Sequence, residues 1–82
     1  MKLIELVQGR ARAYRLVFEP VPEGGGYVVT CPALPGLVVD GDTLKEALER
    51  SHDAMERRLR TLIAQGREVP EGEVLFAHSM HV

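Results

Sequence analysis

Asp40 and Asp42 flank Gly41, and Glu46 follows one helical turn later. Carboxylates so spaced can hold a divalent ion for hydrolysis, and Glu19 and Glu23 are the further acids such a site would need. The same residues have a simpler reading. Asp40-Gly41-Asp42 makes a turn, and its acids favour the positive end of a helix dipole. The three histidines, His52, His78 and His81, are scattered. His78 and His81 fall on opposite faces of a continued strand, which does not make a zinc pair within one chain. His52 borders an apolar stripe. Cys31 is the sole cysteine and has no base near it in sequence, so it reads as a small buried hydrophobe rather than a nucleophile. Gly24-Gly25-Gly26 leads into a strand, whereas a phosphate loop opens a helix. The sequence therefore predicts no catalytic residue, no metal and no cofactor: the chain is not expected to be an enzyme.

The elements that position these residues follow from periodicity. Residues 1–12 fit a helical turn (Leu3, Ile4, Val7) or a strand (Leu3, Glu5, Val7) and receive no assignment. Tyr14, Leu16 and Phe18 alternate with Arg15, Val17 and Glu19, the period of a half-buried strand. Pro20, Pro22 and the three glycines break it into a hairpin loop. Tyr27-Val28-Val29-Thr30 is a second strand, Pro32 to Gly36 a second reversal, and Leu37-Val38-Val39 a third strand ended by Asp40-Gly41. Thr43-Leu44-Lys45-Glu46 has the spacing of a capping box, with the Thr43 hydroxyl accepting from the Glu46 amide and the Glu46 carboxylate reaching the Thr43 amide. Leu44, Ala47, Leu48, Met55, Leu59, Leu62 and Ile63 lie on one stripe of a helix over 44–65, closed by Gly66. Arg57, Arg58 and Arg60 form a basic cluster late in that helix, a solvated face or a contact patch. Val74-Leu75-Phe76-Ala77 is a fourth strand in the tail formed by residues 71–82. The predicted fold is α+β, a three-stranded antiparallel meander followed by one long helix and a fourth strand (β-β-β-α-β), with the helix on one face of the sheet. It forms one domain over residues 1–82.

Composition limits the function. Ten Lys/Arg stand against twelve Asp/Glu, a net charge of −2, which disfavours a protein living by phosphate contacts. Glu5 interrupts the first apolar run before a signal sequence develops, and no stretch has the roughly 20 apolar residues of a spanning helix. The expected location is cytoplasmic, with no membrane partner. A chain of 82 residues has a modest core, and an open meander leaves sheet edges free. A homodimer or higher even-numbered oligomer is therefore expected, with Phe76 or Met80 as its anchor.

The block Tyr14-Arg15-Leu16-Val17-Phe18-Glu19, then Gly26-Tyr27-Val28-Val29, then Cys31-Pro32-Ala33-Leu34-Pro35-Gly36, then Gly41-Asp42-Thr43-Leu44-Lys45-Glu46-Ala47 resembles the HicB family of antitoxins. The most telling part is P-x-L-P-G followed, after a short strand, by G-D-T-x-x-E-A. The resemblance runs from about Tyr14 to Pro70. It implies a partial ribonuclease-H-like domain without that fold's catalytic carboxylates. It also implies a role in neutralising a small toxin that degrades messenger RNA. Many such antitoxins carry a C-terminal DNA-binding module. The twelve residues after Pro70 are too few for one, so no DNA binding by this chain alone is expected. Pro35, Gly36, Gly41, Thr43 and Glu46 have fold-specifying roles as turn, hinge and cap. Glu19, Glu23, Asp40 and Asp42 are the candidate partner-binding residues, gathered at hairpin and strand ends to meet a basic toxin. The competing reading is an orphan domain of cryptic function, a degenerate metal-dependent nuclease using Asp40, Asp42 and Glu46. It requires those three acids to converge in a cleft.

Overall fold

Gln8 and Gly9 hold positive φ angles of 53° and 78°, the combination a two-residue hairpin turn requires. They join β1 (Lys2–Val7) to β2 (Arg10–Arg15), with Val7 opposite Arg10. One residue later the chain enters β3 (Val17–Pro20), which pairs antiparallel with β4 (Tyr27–Thr30), itself paired antiparallel with β5 (Val38–Gly41). The helix α1 spans Leu44–Ala64. This computed structural model describes residues 1–73.

The architecture corrects the expected β-β-β-α-β order. Five strands in two sheets, β1-β2 and β3-β4-β5, precede the helix among the described residues. The unassigned N-terminal segment is β1 and the start of β2. The strand expected from Tyr14 to Glu19 is divided at Leu16, because its two halves find different partners. Leu16 donates its amide to Met1 O at 2.7 Å and accepts from the Met1 amine at 3.3 Å, extending the β1 ladder. Beyond it, Val17 faces Thr30 of β4. The expected fourth strand at Val74 to Ala77 lies outside the described residues, as do Phe76, Met80, His78 and His81. Just before them, Glu73 N–H donates to Ala13 O at 2.7 Å, an isolated antiparallel bridge to β2.

The core lies between the sheets and α1. Tyr14, Leu16, Val29, Leu34, Leu37, Ala47, Met55, Leu59 and Val69 are buried in one cluster, with Phe18, Val39, Leu48 and Leu62 packed partly against it. The buried line of the helix steps by four, through Ala47, Ser51, Met55 and Leu59, which keeps it on one face. The stripe is therefore turned from the one expected, leaving Leu44 and Ile63 exposed. Ser51 stands within the buried line without an orphaned hydroxyl, because its Oγ donates to Ala47 O at 2.7 Å. Val38 points outward, and its neighbours Leu37 and Val39 supply the inward contacts.

Close approach explains two small residues of the Gly-Asp-Thr-Leu-Lys-Glu-Ala block. A Cβ at Gly41 would stand 2.5 Å from Ala47 N and 3.0 Å from Ala47 Cβ. At the helix start, Thr43 Oγ1 accepts from Glu46 N at 3.1 Å, while the Glu46 carboxylate takes the amide of Asp42, at 2.8 Å, instead of that of Thr43. At the other end, Gly66 N–H donates to Ile63 O at 3.0 Å and Arg67 N–H to Leu62 O at 2.9 Å. This is the paired closure of a Schellman motif.

Candidate functional site

The pleat decides which residues of the three-stranded sheet face away from the core. Phe18, Val29 and Val39 are in register and point inward; Val17, Thr30 and Val38 form one outward row, and Glu19, Val28 and Asp40 form the next. Among the described residues no helix covers this outer face, where Val17 is 37% and Val38 65% exposed. Glu19 and Asp40 therefore stand on one surface, on either side of Val28 and two strand spacings apart, about 9.5 Å. The loop bearing Glu23, closed by Val21 N–H to Gly26 O at 2.9 Å, leaves from the same end of the sheet at which β5 hands over to Asp42. All four acids are exposed. The folded chain thus places them along one end of an apolar sheet face.

Their local bonds are structural. Arg50 Nη1 donates to Asp40 O at 3.2 Å and lies 3.9 Å from Asp40 Oδ1, and Arg50 Nη2 lies 3.8 Å from Glu46 Oε1. With the Glu46 carboxylate on the Asp42 amide as well, the acids at 40, 42 and 46 are divided between a helix cap and an arginine. They form no three-ligand cluster among the described residues. Of the basic cluster, Arg58 donates to Pro35 O at 3.0 Å and fastens the Pro35-Gly36 turn to the helix, with Gly36 at φ +88°. Cys31 is buried and free, and burial pushes its thiol pKa up. A group so placed is a poor nucleophile.

A second constellation is not among those the sequence singles out. Glu5 on β1 points inward beside His52 and Glu56 of α1, and one ligand atom from each lies within 4.8 Å of the others. His52 Nε2 is 3.1 Å from Glu5 Oε2, and His52 Nδ1 is 3.8 Å from Glu56 Oε1. The Glu5 side chain is only 7% exposed. Among the described residues its buried Oε2 has no hydrogen-bond donor, although the His52 imidazole stands within ion-pair reach. Burial raises the Glu5 pKa, His52 draws it back down, and the Glu56 carboxylate adds to the rise. Arg12 is the cross-strand neighbour of Glu5 and shares its face, but its guanidinium is engaged elsewhere. Its Nη1 lies 3.2 Å from Pro70 O and 3.7 Å from Glu71 Oε1. The one available sequence clue was the i,i+4 spacing of His52 and Glu56, since Glu5 reaches them only through the fold.

One face of the three-stranded sheet thus packs on the helix, and the other presents exposed valines bordered by Glu19 and Asp40. The chain belongs to the HicB-like antitoxin family of bacterial toxin–antitoxin systems, whose family model matches residues 14–81. It is 37% identical over 51 residues to the UPF0150 protein ssr1765 of Synechocystis, covering 62% of this chain and 65% of that one. It is also 37% identical over 57 residues to the antitoxin HicB 1 of Photorhabdus laumondii, and 33% identical over 60 residues to the antitoxin HicB of Pseudomonas fluorescens. These matches cover 70% and 73% of this chain but 36% and 41% of the two antitoxins. The chain thus spans less than two thirds of the length of each of these relatives.

Proposed function

We propose that this domain is a protein-interaction module of the antitoxin type, which binds and neutralises a small basic toxin that degrades messenger RNA. The observation that carries the reading is the outer sheet face, uncovered among the described residues, where Glu19 and Asp40 flank Val28 with Val17 and Val38 exposed beside them. An apolar centre with an acidic border complements a protein that must itself be cationic to hold RNA. Glu23 and Asp42 extend the border. The family match and the two relatives named as antitoxins support the same role. No helix among the described residues is long and apolar enough to cross a membrane, and the proposed place of action is the cytoplasm. The module works as a homodimer or higher even oligomer.

The test is co-expression with the product of the adjacent gene, followed by co-purification and an RNA-cleavage assay. Binding tighter than about 10 µM and loss of cleavage are expected. The double variant Glu19→Lys/Asp40→Lys should weaken binding at least about tenfold while melting like the parent chain, since both side chains are exposed. A neighbouring product that fails to bind, or that keeps full ribonuclease activity when bound, refutes the antitoxin role. Unchanged affinity in the double variant refutes the surface.

A further inference from the structure

We infer that Glu5, His52 and Glu56 form a binding site for a divalent transition-metal ion of the zinc class, one that ties β1 to α1. Two carboxylates and one imidazole are the donor set such ions take, and their combined charge of about −2 with a neutral imidazole balances a divalent cation. The separations suit the shell. Metal–ligand bonds of about 2.0–2.2 Å place neighbouring tetrahedral ligands about 3.4 Å apart. Nε2 of His52 and Oε2 of Glu5 are already 3.1 Å apart, and all three donors lie within 4.8 Å. Glu56 is 43% exposed on the helix surface, so its side chain is not held in place by packing.

The buried carboxylate is the independent sign that something belongs there. Glu5 Oε2 is buried and, among the described residues, without a hydrogen-bond donor, an arrangement that costs free energy unless a cation or donor satisfies it. Apart from His52 itself, the nearest candidate cation in the ladder, Arg12 across the strand pair, is engaged at Pro70 and Glu71. A cleft of about 140 Å³ adjoins the site, lined by Glu5, Val7, Glu56, Leu59 and Arg60 among others, and leaves room for a fourth ligand from solvent. Arg60 is the chain's own competing cation on that side, but it makes no ion pair within 4.0 Å of Glu56 among the described residues. Glu5 also lies before the family-matched segment, which begins at residue 14. The site therefore joins a strand outside the matched segment to the helix within it.

The experiment is calorimetric titration of the full, tag-free, chelator-stripped chain with zinc chloride alone, with cobalt(II) titrated in parallel as a spectroscopic probe. One ion per chain is expected with a Kd below about 10 µM, together with a visible cobalt band and a rise in Tm of several degrees. Glu5→Gln and Glu56→Gln should each weaken binding at least about tenfold and abolish the zinc-dependent rise in Tm. Circular dichroism of the metal-free variants reads folding separately. The double variant His78→Ala/His81→Ala should bind within about twofold of the parent, because the site does not use those imidazoles. The inference is overturned if zinc does not bind at about 100 µM, if both glutamine variants bind like the parent, or if binding vanishes with His78 and His81.

Discussion

Gly41→Ala adds a single methyl group at the end of β5, where the structure leaves no room for it. The new Cβ would meet Ala47 N at 2.5 Å and Ala47 Cα at 2.7 Å. Both are backbone atoms of the first helical turn, which no rotamer change can clear. Ordinary contact begins near 3.4 Å, so β5 and α1 must part by about 0.9 Å or the turn between them must distort. That displacement pulls on the two cap bonds, Glu46 N to Thr43 Oγ1 at 3.1 Å and Asp42 N to Glu46 Oε1 at 2.8 Å. Overpacking of this kind costs about 1–3 kcal/mol. For a domain this small each kcal/mol moves Tm by about 4–8 °C, giving a fall of roughly 5–20 °C. Thermal and urea unfolding followed by circular dichroism measures it. A second variant sharpens the reasoning: Gly41→Ala/Ala47→Gly removes the Cβ–Cβ contact but not the backbone collision, so it should not recover the loss. A Gly41→Ala chain within about 0.5 kcal/mol of the parent, or full recovery in the double variant, would show that the strand and helix are not held at this separation.

Leu59 is 3% exposed and Val38 65%, so Leu59→Ala should cost about 2–5 kcal/mol in denaturant titration and Val38→Ala less than about 0.5. Comparable losses would mean that the inward and outward faces are misassigned. The raised pKa of Glu5 means that the folded chain holds this proton more tightly than the unfolded one. Stability from this group is therefore present at acid pH and is lost as pH rises from the ordinary carboxylate pKa through the raised folded value. Metal-free Glu5→Gln should flatten that decline and be the more stable chain at neutral pH; a parent chain that gains stability from Glu5 across the same window contradicts the burial argument. Light scattering at about 100 µM chain should give a dimer or larger even mass, and a monomer mass refutes self-association.

The helix was legible because its signals are local: a Thr43–Glu46 cap, i,i+4 apolar steps and a closing Gly66. The rotation of its buried face was not. Ser51 is polar by composition and becomes a core residue only because Ala47 O accepts its hydroxyl. The β1-β2 hairpin was hidden for two reasons. Its turn is Gln-Gly rather than Asn-Gly or Asp-Gly, and apolar residues occupy both faces of β1. Leu3 and Val7 point inward with Glu5, while Ile4 and Leu6 stay exposed outward. The acids at 19 and 40 were visible as candidates, yet only strand register shows that they share a face. Glu5 and His52 are 47 positions apart, and no periodicity links a strand residue to a helix residue at that range.

Leu16 has an effect on how this chain can vary in length. Tyr14, Leu16 and Phe18 point inward without interruption, although the strand changes partners between them. The two sheets are therefore locked in phase by a single residue. Inserting or deleting one position anywhere from 14 to 18 would turn one sheet inside out relative to the other, exposing Tyr14 or burying Glu19. Length changes in this stretch are tolerable only in pairs, whereas the Gln8-Gly9 turn and the loop between β3 and β4 can absorb single residues. Alignments of related chains should therefore place their odd-numbered gaps in those loops and leave the passage through Leu16 free of them.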